Sequence, residues 1–135
     1  MGTHGRVKDT FKTSKGEFIE PLGLEKFFGD IVEFEQICIV GLGNPQPMLL
    51  VVLSESGKST DKNVLKSMIE NKLVAVNKDL VSYKRISTII FVKDDWNPEN
   101  EILTPTMKIK RNKINDKYHG KFKDWSDNKE TVIWE

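Results

Sequence analysis

Lys108 is the residue of this chain with the clearest potential for chemistry. The segment from Leu103 to Met107 combines a buried-strand pattern with a turn-forming proline, and a basic amphipathic helix begins at about Arg111. This order predicts that Lys108 lies in a loop between two regular elements. A lysine ammonium is compact and flexible, so in such a loop it can be presented to an anion and can bridge carboxylate and phosphate oxygens.

A second polar segment, GRVKDTFKTSKG, runs from Gly5 to Gly16. Its last three residues are a turn signal between two short runs, residues 9–13 and 17–20, so they predict a β-hairpin. Gly16 supplies the permissive backbone of that turn. A glycine there also lets the backbone approach a ligand closely, because no Cβ stands in the way.

Together the two segments resemble the C-terminal domain of the AMP-forming acyl-CoA synthetases, and in particular their long-chain fatty acid branch. Those enzymes carry a hinge motif of the type G-R-x-K/D-D-x-x-K-x-x-x-G and, much later, a lysine motif of the type L-T-P-T-x-K-x-K-R. Both motifs occur here in that order, and the resemblance covers almost the whole chain. One departure is Met107, since most of the wider superfamily has Gly immediately before the lysine; the long-chain branch accepts a bulky residue.

The resemblance implies that Lys108 is catalytic and takes part in adenylate formation. A fatty acid carboxylate attacks the α-phosphate of ATP in these enzymes, and a lysine at this place stabilises the charge that builds on the phosphoryl oxygens. Without its motif, Lys108 would be explained as a solvated lysine before a basic helix. The flanking segments 104–106 and 110–111 favour catalysis.

The resemblance also implies a nucleotide contact and a hinge. By resemblance, Arg6 contacts the ribose hydroxyls of the nucleotide. Lys8 with Asp9 forms the pivot about which the domain turns between two working positions, and a pivot must absorb a large change in φ and ψ. The alternative is an exposed N-terminal segment with incidental charges.

The hairpin is implied to be a CoA-binding element, with Lys12 and Gly16 as its candidate residues. In the thioester-forming position of the family, this hairpin lines the tunnel for the pantetheine arm of CoA. Two plainer explanations stay open: Gly16 only permits the turn, and Lys12 is a solvated strand lysine. Lys15 makes the turn one residue longer than in many relatives, so the register of Ser14–Gly16 is open too.

Composition predicts one soluble domain. The chain has 135 residues, 38% of them hydrophobic and 30% charged, with a formal net charge of +1. This balance predicts neither a nucleic-acid partner nor an acidic membrane partner. A single cysteine, Cys38, excludes an internal disulfide framework and suits the cytoplasm. No apolar run approaches the ~20 residues of a membrane span.

The pattern of elements predicts an α+β fold. We expect a small mixed β-sheet with β-hairpins in the order β-β-α-β-β-α-β-α, and helices packed on one or both faces of the sheet. The predicted elements after the first hairpin are a helix over 22–31, strands over 35–42 and 48–54, a long helix capped by residues 59–61, a strand over 86–92 and a helix over about 111–122.

Three other signals do not predict sites. Residues 56–60, SGKST, resemble the end of a P-loop, but the required first glycine is replaced by Val52 within a strand. Gly41-Leu42-Gly43 lacks the third glycine of a dinucleotide motif. The lysines of the last helix could bind nucleic acid or CoA phosphates, but acidic residues interrupt them, so a solvated helix face is the commoner explanation.

The expected function is that of the C-terminal catalytic lid of an ATP-dependent long-chain fatty acid:CoA ligase. Residues 1–4 are expected to be a cloning remnant or a disordered start, and residues 5–135 the lid, which begins at the hinge. ATP and Mg²⁺ would be bound mainly by an N-terminal adenylation domain of the same polypeptide, and CoA would be a substrate. We expect this chain alone to be inactive, and the whole enzyme could make peripheral membrane contact.

Two alternatives stay open at this stage. One is the lid of a fatty acyl-AMP ligase that loads a carrier protein instead of CoA. The other, from a different class, is a free-standing α+β binding module that uses the basic helix as its contact surface.

Overall fold

The computed structural model describes residues 10–135. The predicted nucleotide contact Arg6 and the predicted hinge residues Lys8 and Asp9 lie outside these residues. The described chain begins with the predicted hairpin, whose strands are β1 (Phe11–Lys12) and β2 (Phe18–Ile19). They pair antiparallel, with Phe11 opposite Ile19 and Lys12 opposite Phe18. The hairpin prediction is therefore confirmed.

The first helix is shorter than its sequence pattern predicts. Helix α1 (Pro21–Glu25) is followed by one 3₁₀ turn (Lys26–Phe28), whereas the apolar spacing predicted a helix to residue 31. Gly23 and Gly29 weaken the helix, because glycine has a low helix propensity. The 3₁₀ bond from Gly29 N–H to the Lys26 carbonyl closes the last turn.

The main sheet has four strands in the order β3 (Phe34–Val40), β4 (Met48–Leu53), β5 (Ile89–Phe91) and β6 (Val132–Trp134). Strands β3 and β4 form the second predicted antiparallel hairpin, while β5 and β6 join in parallel. The mixed sheet is thus confirmed. The predicted element order was wrong at its end, because it left the C-terminal segment without the strand β6.

Three more helices complete the fold of residues 10–135. Helix α2 (Glu55–Ser59) is a single short helix that the sequence analysis did not predict. Helix α3 (Lys62–Lys78) begins at the predicted cap, where the Asp61 carboxylate accepts bonds from the N–H groups of Asn63 and Val64. Helix α4 (Arg111–Asp127) extends five residues beyond its predicted end at Phe122. A 3₁₀ turn (Ser82–Lys84) precedes β5.

Apolar residues on both faces of the sheet form the core. Alternate residues of a strand point to opposite faces. Accordingly, Leu49 and Val51 of β4 pack with α1 and α3, while Leu50 and Val52 pack with α4. The sheet is therefore the central layer between helices. This confirms the predicted α+β fold, for which the sequence left open whether one or both faces are covered. No helix within residues 10–135 is long and apolar enough to cross a membrane.

Candidate functional site

The Lys108 loop, which lies between Leu103 and Ile109, is a tight turn held closed by hydrogen bonds. Thr104 N–H donates to the Lys108 carbonyl at 2.8 Å, and Met107 N–H donates to the Thr104 carbonyl at 2.8 Å. Lys108 N–H in turn donates to the Thr104 hydroxyl Oγ1 at 3.1 Å. A bridge between Leu103 and Ile109 closes the base of the loop. The prediction that Lys108 lies in a loop is confirmed. The structure adds that hydrogen bonds of Thr104 with Met107 and with Lys108 hold this loop closed.

Met107 has a left-handed backbone in this loop, with φ of 69°. The arrangement is a tight turn followed by one left-handed residue, which in hairpins forms a bulge and favours glycine at the left-handed position. For any other L-residue, that conformation brings Cβ close to the following carbonyl and costs about 1–2 kcal/mol. Met107 therefore stands in place of the wider superfamily's glycine at the one residue of this loop whose backbone conformation favours glycine.

The Lys108 side chain is exposed. Within residues 10–135 its ammonium has neither an ion pair nor a hydrogen bond. The lysines of α4 differ, since four of them pair with carboxylates: Lys113 with Glu101, Lys117 with Asp94, Lys121 with Glu135, and Lys123 with Asp127. The basic helix is therefore largely neutralised, and Lys108 keeps its charge available for an anion from outside.

The hairpin loop at Gly16 has the same bonding pattern as the Lys108 loop. Thr13 N–H donates to the Glu17 carbonyl at 2.8 Å, and Gly16 N–H donates to the Thr13 carbonyl at 3.0 Å. Glu17 N–H donates to the Thr13 Oγ1 at 3.1 Å. Gly16 takes the left-handed position with φ of 85°, and a Cβ built there would meet nothing within 4 Å. The backbone conformation, not crowding, therefore favours glycine at this position.

Backbone bonds dock this hairpin on the loop between β3 and β4. Gly43 N–H donates to the Lys12 carbonyl at 3.1 Å, and Ser14 N–H donates to the Asn44 carbonyl at 2.9 Å. The buried Asn44 side chain then reaches α4, where its Nδ2 donates to the Phe122 carbonyl at 3.2 Å. The hairpin is thus connected through Asn44 to the helix that follows the Lys108 loop.

Lys12 and Phe18 form an exposed pair on the outer face of the hairpin. The Lys12 ammonium lies 5.6 Å from the centroid of the Phe18 ring, and Phe18 is 64% exposed. Both residues line a cavity of about 360 Å³ that extends to Leu42 and to Arg111 at the start of α4. Lys12 and the first turn of α4 therefore face one cavity, whereas Lys108 and Gly16 lie outside its lining.

Arg111 connects α4 to α1 through an ion pair that the sequence analysis missed. Its Nη1 and Nη2 donate to the two carboxylate oxygens of Glu25, each at 2.9 Å, and the two side chains are only 19% and 11% exposed. Glu25 Oε2 also accepts a bond of 2.8 Å from Ile39 N–H, on the outer edge of β3. This contact shields an edge strand. It also fixes the start of α4, three residues after Lys108.

The sequence model of the AMP-binding enzyme C-terminal domain matches residues 8–129. The chain belongs to this family. The match includes both loops described above, so the AMP-binding C-terminal domain presents Lys108 and the Gly16 hairpin on a single folded unit. The resemblance inferred from the two motifs is thereby confirmed.

Two plant proteins are similar in sequence to this C-terminal domain. It is 29% identical over 119 residues to the chloroplastic long-chain-fatty-acid acyl-carrier-protein ligase AEE15 of Arabidopsis thaliana, covering 84% of this chain and 16% of the relative. It is 28% identical over 124 residues to long chain acyl-CoA synthetase 4 of the same plant, covering 78% of this chain and 19% of the relative. The chain thus spans less than one fifth of the length of these relatives.

A solved structure has the same fold as this AMP-binding C-terminal domain. The adenylation domain of a carboxylic acid reductase from Segniliparus rugosus, in complex with AMP and a co-purified carboxylic acid, superposes with a TM-score of 0.73 at 26% identity. The superposition covers 91% of this chain and 20% of the other. The fold described above is therefore that of the C-terminal part of an adenylate-forming enzyme.

Two motifs that the sequence analysis set aside have structural roles in this domain. Gly57, from the segment resembling a P-loop, lies in α2, and its N–H donates to the Ser54 Oγ of the helix cap. A Cβ on Gly57 would come within 2.4 Å of the Glu33 carbonyl oxygen, so the glycine allows close packing. Gly41 takes a φ of 141° in the loop between β3 and β4, a backbone conformation that favours glycine.

Carboxylate, imidazole and thiol groups do not cluster as metal ligands in the described part of this domain. Residues 10–135 contain no group of three or more such residues that could hold a metal ion. Cys38 is buried against α4.

Proposed function

We propose that this chain is the C-terminal catalytic lid of a fatty acid:CoA ligase and that Lys108 serves its adenylation step. The observation that carries the proposal is the Lys108 ammonium. It is exposed on a loop held by hydrogen bonds, and it has no carboxylate partner among residues 10–135. Membership of the AMP-binding C-terminal domain family and the long-chain fatty acid relatives support it.

In the proposed first step, a carboxylate oxygen of the fatty acid attacks the α-phosphorus of ATP. A new P–O bond forms, the bond to the β-phosphate bridging oxygen breaks, and pyrophosphate leaves. Lys108 stabilises the charge on the phosphoryl oxygens, which is worth about 3–4 kcal/mol for one preorganised donor. The loop conformation fixed by Thr104 limits the freedom that Lys108 would lose on entering the site.

In the proposed second step, the thiolate of CoA attacks the acyl carbonyl carbon, and AMP leaves with the electron pair of the broken C–O bond. The hairpin with Lys12 and Gly16 is the candidate element for the pantetheine arm and phosphates of CoA. The exposed Lys12–Phe18 pair and the cavity beside it support this assignment, because they offer a cation and an apolar surface together.

A carrier-protein thiol is the second candidate acceptor. It is favoured by the similarity to AEE15, a long-chain-fatty-acid acyl-carrier-protein ligase. The two acceptors have the same terminal group, a pantetheine thiol, and differ in what surrounds it. The complete enzyme, given fatty acid and ATP, should form acyl-CoA from CoA faster than it acylates a holo-carrier protein. The reverse preference would identify the carrier protein, and not CoA, as the acyl acceptor.

The remaining assignments concern the rest of the polypeptide. We propose that residues 5–135 form the lid, that Arg6 contacts the ribose, and that Lys8 and Asp9 form the hinge to an N-terminal adenylation domain. That domain would bind ATP and Mg²⁺, and we expect the enzyme in the cytoplasm. If the coding sequence upstream of Gly5 encodes no such domain, a free-standing binding module becomes the better explanation.

Exchange of pyrophosphate into ATP tests the proposed activity. We expect the complete enzyme to catalyse this exchange only when a fatty acid is present. This chain alone should remain at background, because it contributes few of the groups that the reaction needs. Robust exchange by this chain alone would contradict the proposal that an N-terminal domain supplies most of the active site. If the complete enzyme catalysed no exchange with any fatty acid, the proposed ligase function would be wrong.

A further inference from the structure

Met107 has an unfavourable backbone for its residue type. Its φ of 69° is left-handed, while Gly16 takes the corresponding position of the hairpin loop with φ of 85°. The chain thus contains the same turn twice, once with the residue that suits it and once with a residue that has a side chain. Strained residues of this kind cluster at functional sites, where the strain is offset elsewhere.

Packing within the described domain does not offset this strain. Met107 is 53% exposed, and within residues 10–135 it belongs to neither core cluster and to neither set of residues packed against them. Two other residues of the same loop, Thr104 and Thr106, bond to each other through their hydroxyls at 3.0 Å. The thioether side chain therefore extends from the loop with much of its apolar surface uncovered.

The place of Met107 specifies what could cover it. Adjacent Cα atoms are about 3.8 Å apart, so the Met107 side chain lies close to any surface that receives Lys108. The bonds from Thr104 to both Lys108 and Met107 make the loop enter such a surface as one unit. Methionine is unbranched and polarisable, and it adapts to irregular apolar surfaces.

We propose, on the basis of the proposed function, that Met107 is a positioning residue for adenylate formation. Its side chain packs against an apolar surface of the adenylation domain when the lid is in the adenylate-forming position, and this contact holds the Lys108 loop in the site. The contact ends when the lid rotates for thioester formation. Met107 thus acts through the placement of Lys108 and does not itself touch the reacting atoms.

The test uses Met107→Ala, Met107→Leu and Met107→Gly in the complete enzyme, with the two half-reactions measured separately. Alanine keeps the left-handed strain and removes the side chain, so kcat for adenylation should fall about tenfold, the rate equivalent of one buried apolar side chain. Leucine should recover most of that loss. Thioester formation from pre-made acyl-adenylate should stay within about twofold, because the loop has then left the site.

The glycine variant distinguishes the effect of backbone strain at Met107 from the effect of losing its side-chain contact. Met107→Gly should raise the Tm of this chain, since glycine suits the left-handed position, and yet slow adenylation as much as Met107→Ala. The inference is overturned if Met107→Ala adenylates at the normal rate, if leucine is no better than alanine, or if both half-reactions fall alike. Lys108→Ala is run beside these variants. If it slows adenylation and Met107→Ala does not, only this inference fails; if neither does, the proposed function fails.

Discussion

Gly16 and Met107 occupy the same position in two loops that share one bonding pattern. In each loop a threonine hydroxyl, from Thr13 or Thr104, accepts the N–H four residues further on. One loop is the candidate for CoA binding and the other carries the candidate lysine for adenylation. The two proposed half-reactions would therefore use two copies of the same rigid turn, and the copies differ in how well their left-handed residue suits it.

The first prediction follows from this relationship. Gly16→Ala should lower the free energy of unfolding by about 1–2 kcal/mol, because alanine is strained at positive φ even in open space. Met107→Gly should raise it, but by only about 0.5–1 kcal/mol, because glycine also increases the entropy of the unfolded chain. Urea unfolding of both variants measures the two changes. Effects of the same sign would mean that the loops are not equivalent.

A second prediction concerns packing at Gly57. The Glu33 carbonyl oxygen is 2.4 Å from where a Cβ would lie, and this neighbour is backbone that cannot rotate away. Gly57→Ala should therefore cost about 1–3 kcal/mol of unfolding free energy. Gly120→Ala is the matched control: Gly120 lies within α4 with nothing within 4 Å, so alanine should stabilise the helix by about 0.5–1 kcal/mol. Two similar small changes would refute the packing explanation.

The Glu25–Arg111 pair gives a third prediction. Glu25→Gln removes the charge that Arg111 faces in a largely buried position, so unfolding should become easier by about 3 kcal/mol. The exposed pair Lys123–Asp127 provides the comparison, and Asp127→Asn should change stability much less, because water screens the pair. Thermal unfolding of both variants decides the matter. A loss at Glu25 no larger than at Asp127 would show that the pair does not anchor α4.

The fourth prediction is a loss of stability at alkaline pH that depends on Tyr118. Burial raises the pKa of the Tyr118 phenol to about 12 from an ordinary value of 10.0, although the bond from Trp96 Nε1 opposes the shift. The folded state therefore holds the phenolic proton more tightly than the unfolded state. This contribution is complete below about pH 10 and disappears as the pH rises to about 12.

Two measurements check the Tyr118 prediction. Absorbance titration of the folded protein should show one of its two tyrosines ionising near pH 12. Tyr118→Phe should lose less stability between pH 10 and pH 12 than the original chain does, because its unfolded state gains no phenolate at this position. An equal loss in both proteins would assign the alkaline effect to other groups.

Local patterns in the sequence predicted most of the fold. The turn at Ser14–Gly16, the Asp61 cap and the apolar stripe of α3 are all determined by neighbours in the chain, so their elements were predicted correctly. Strand β6 was not, because its pairing partner lies far away in the sequence. Its parallel pairing with β5 joins residues more than 40 positions apart, as Ile89 with Val132.

The site was predictable only in part, for similar reasons. The motif around Lys108 indicated its loop position but not the left-handed conformation of Met107. The ion pair of Arg111 with Glu25 joins residues 86 positions apart, and in the sequence Arg111 looked like one more cation of a basic helix. Pairing partners of this kind depend on tertiary packing, which no local pattern encodes.

The most direct test of the central claim measures the two half-reactions of Lys108→Ala separately in the complete enzyme. Adenylate formation should slow by about 10²–10³, while thioester formation from pre-made acyl-adenylate and CoA stays nearly normal. Lys110→Ala and Lys113→Ala serve as controls for a general loss of positive charge. If Lys108→Ala impairs both steps equally, or adenylation no more than these two variants do, then Lys108 is an ordinary surface lysine and the proposed catalytic role is wrong.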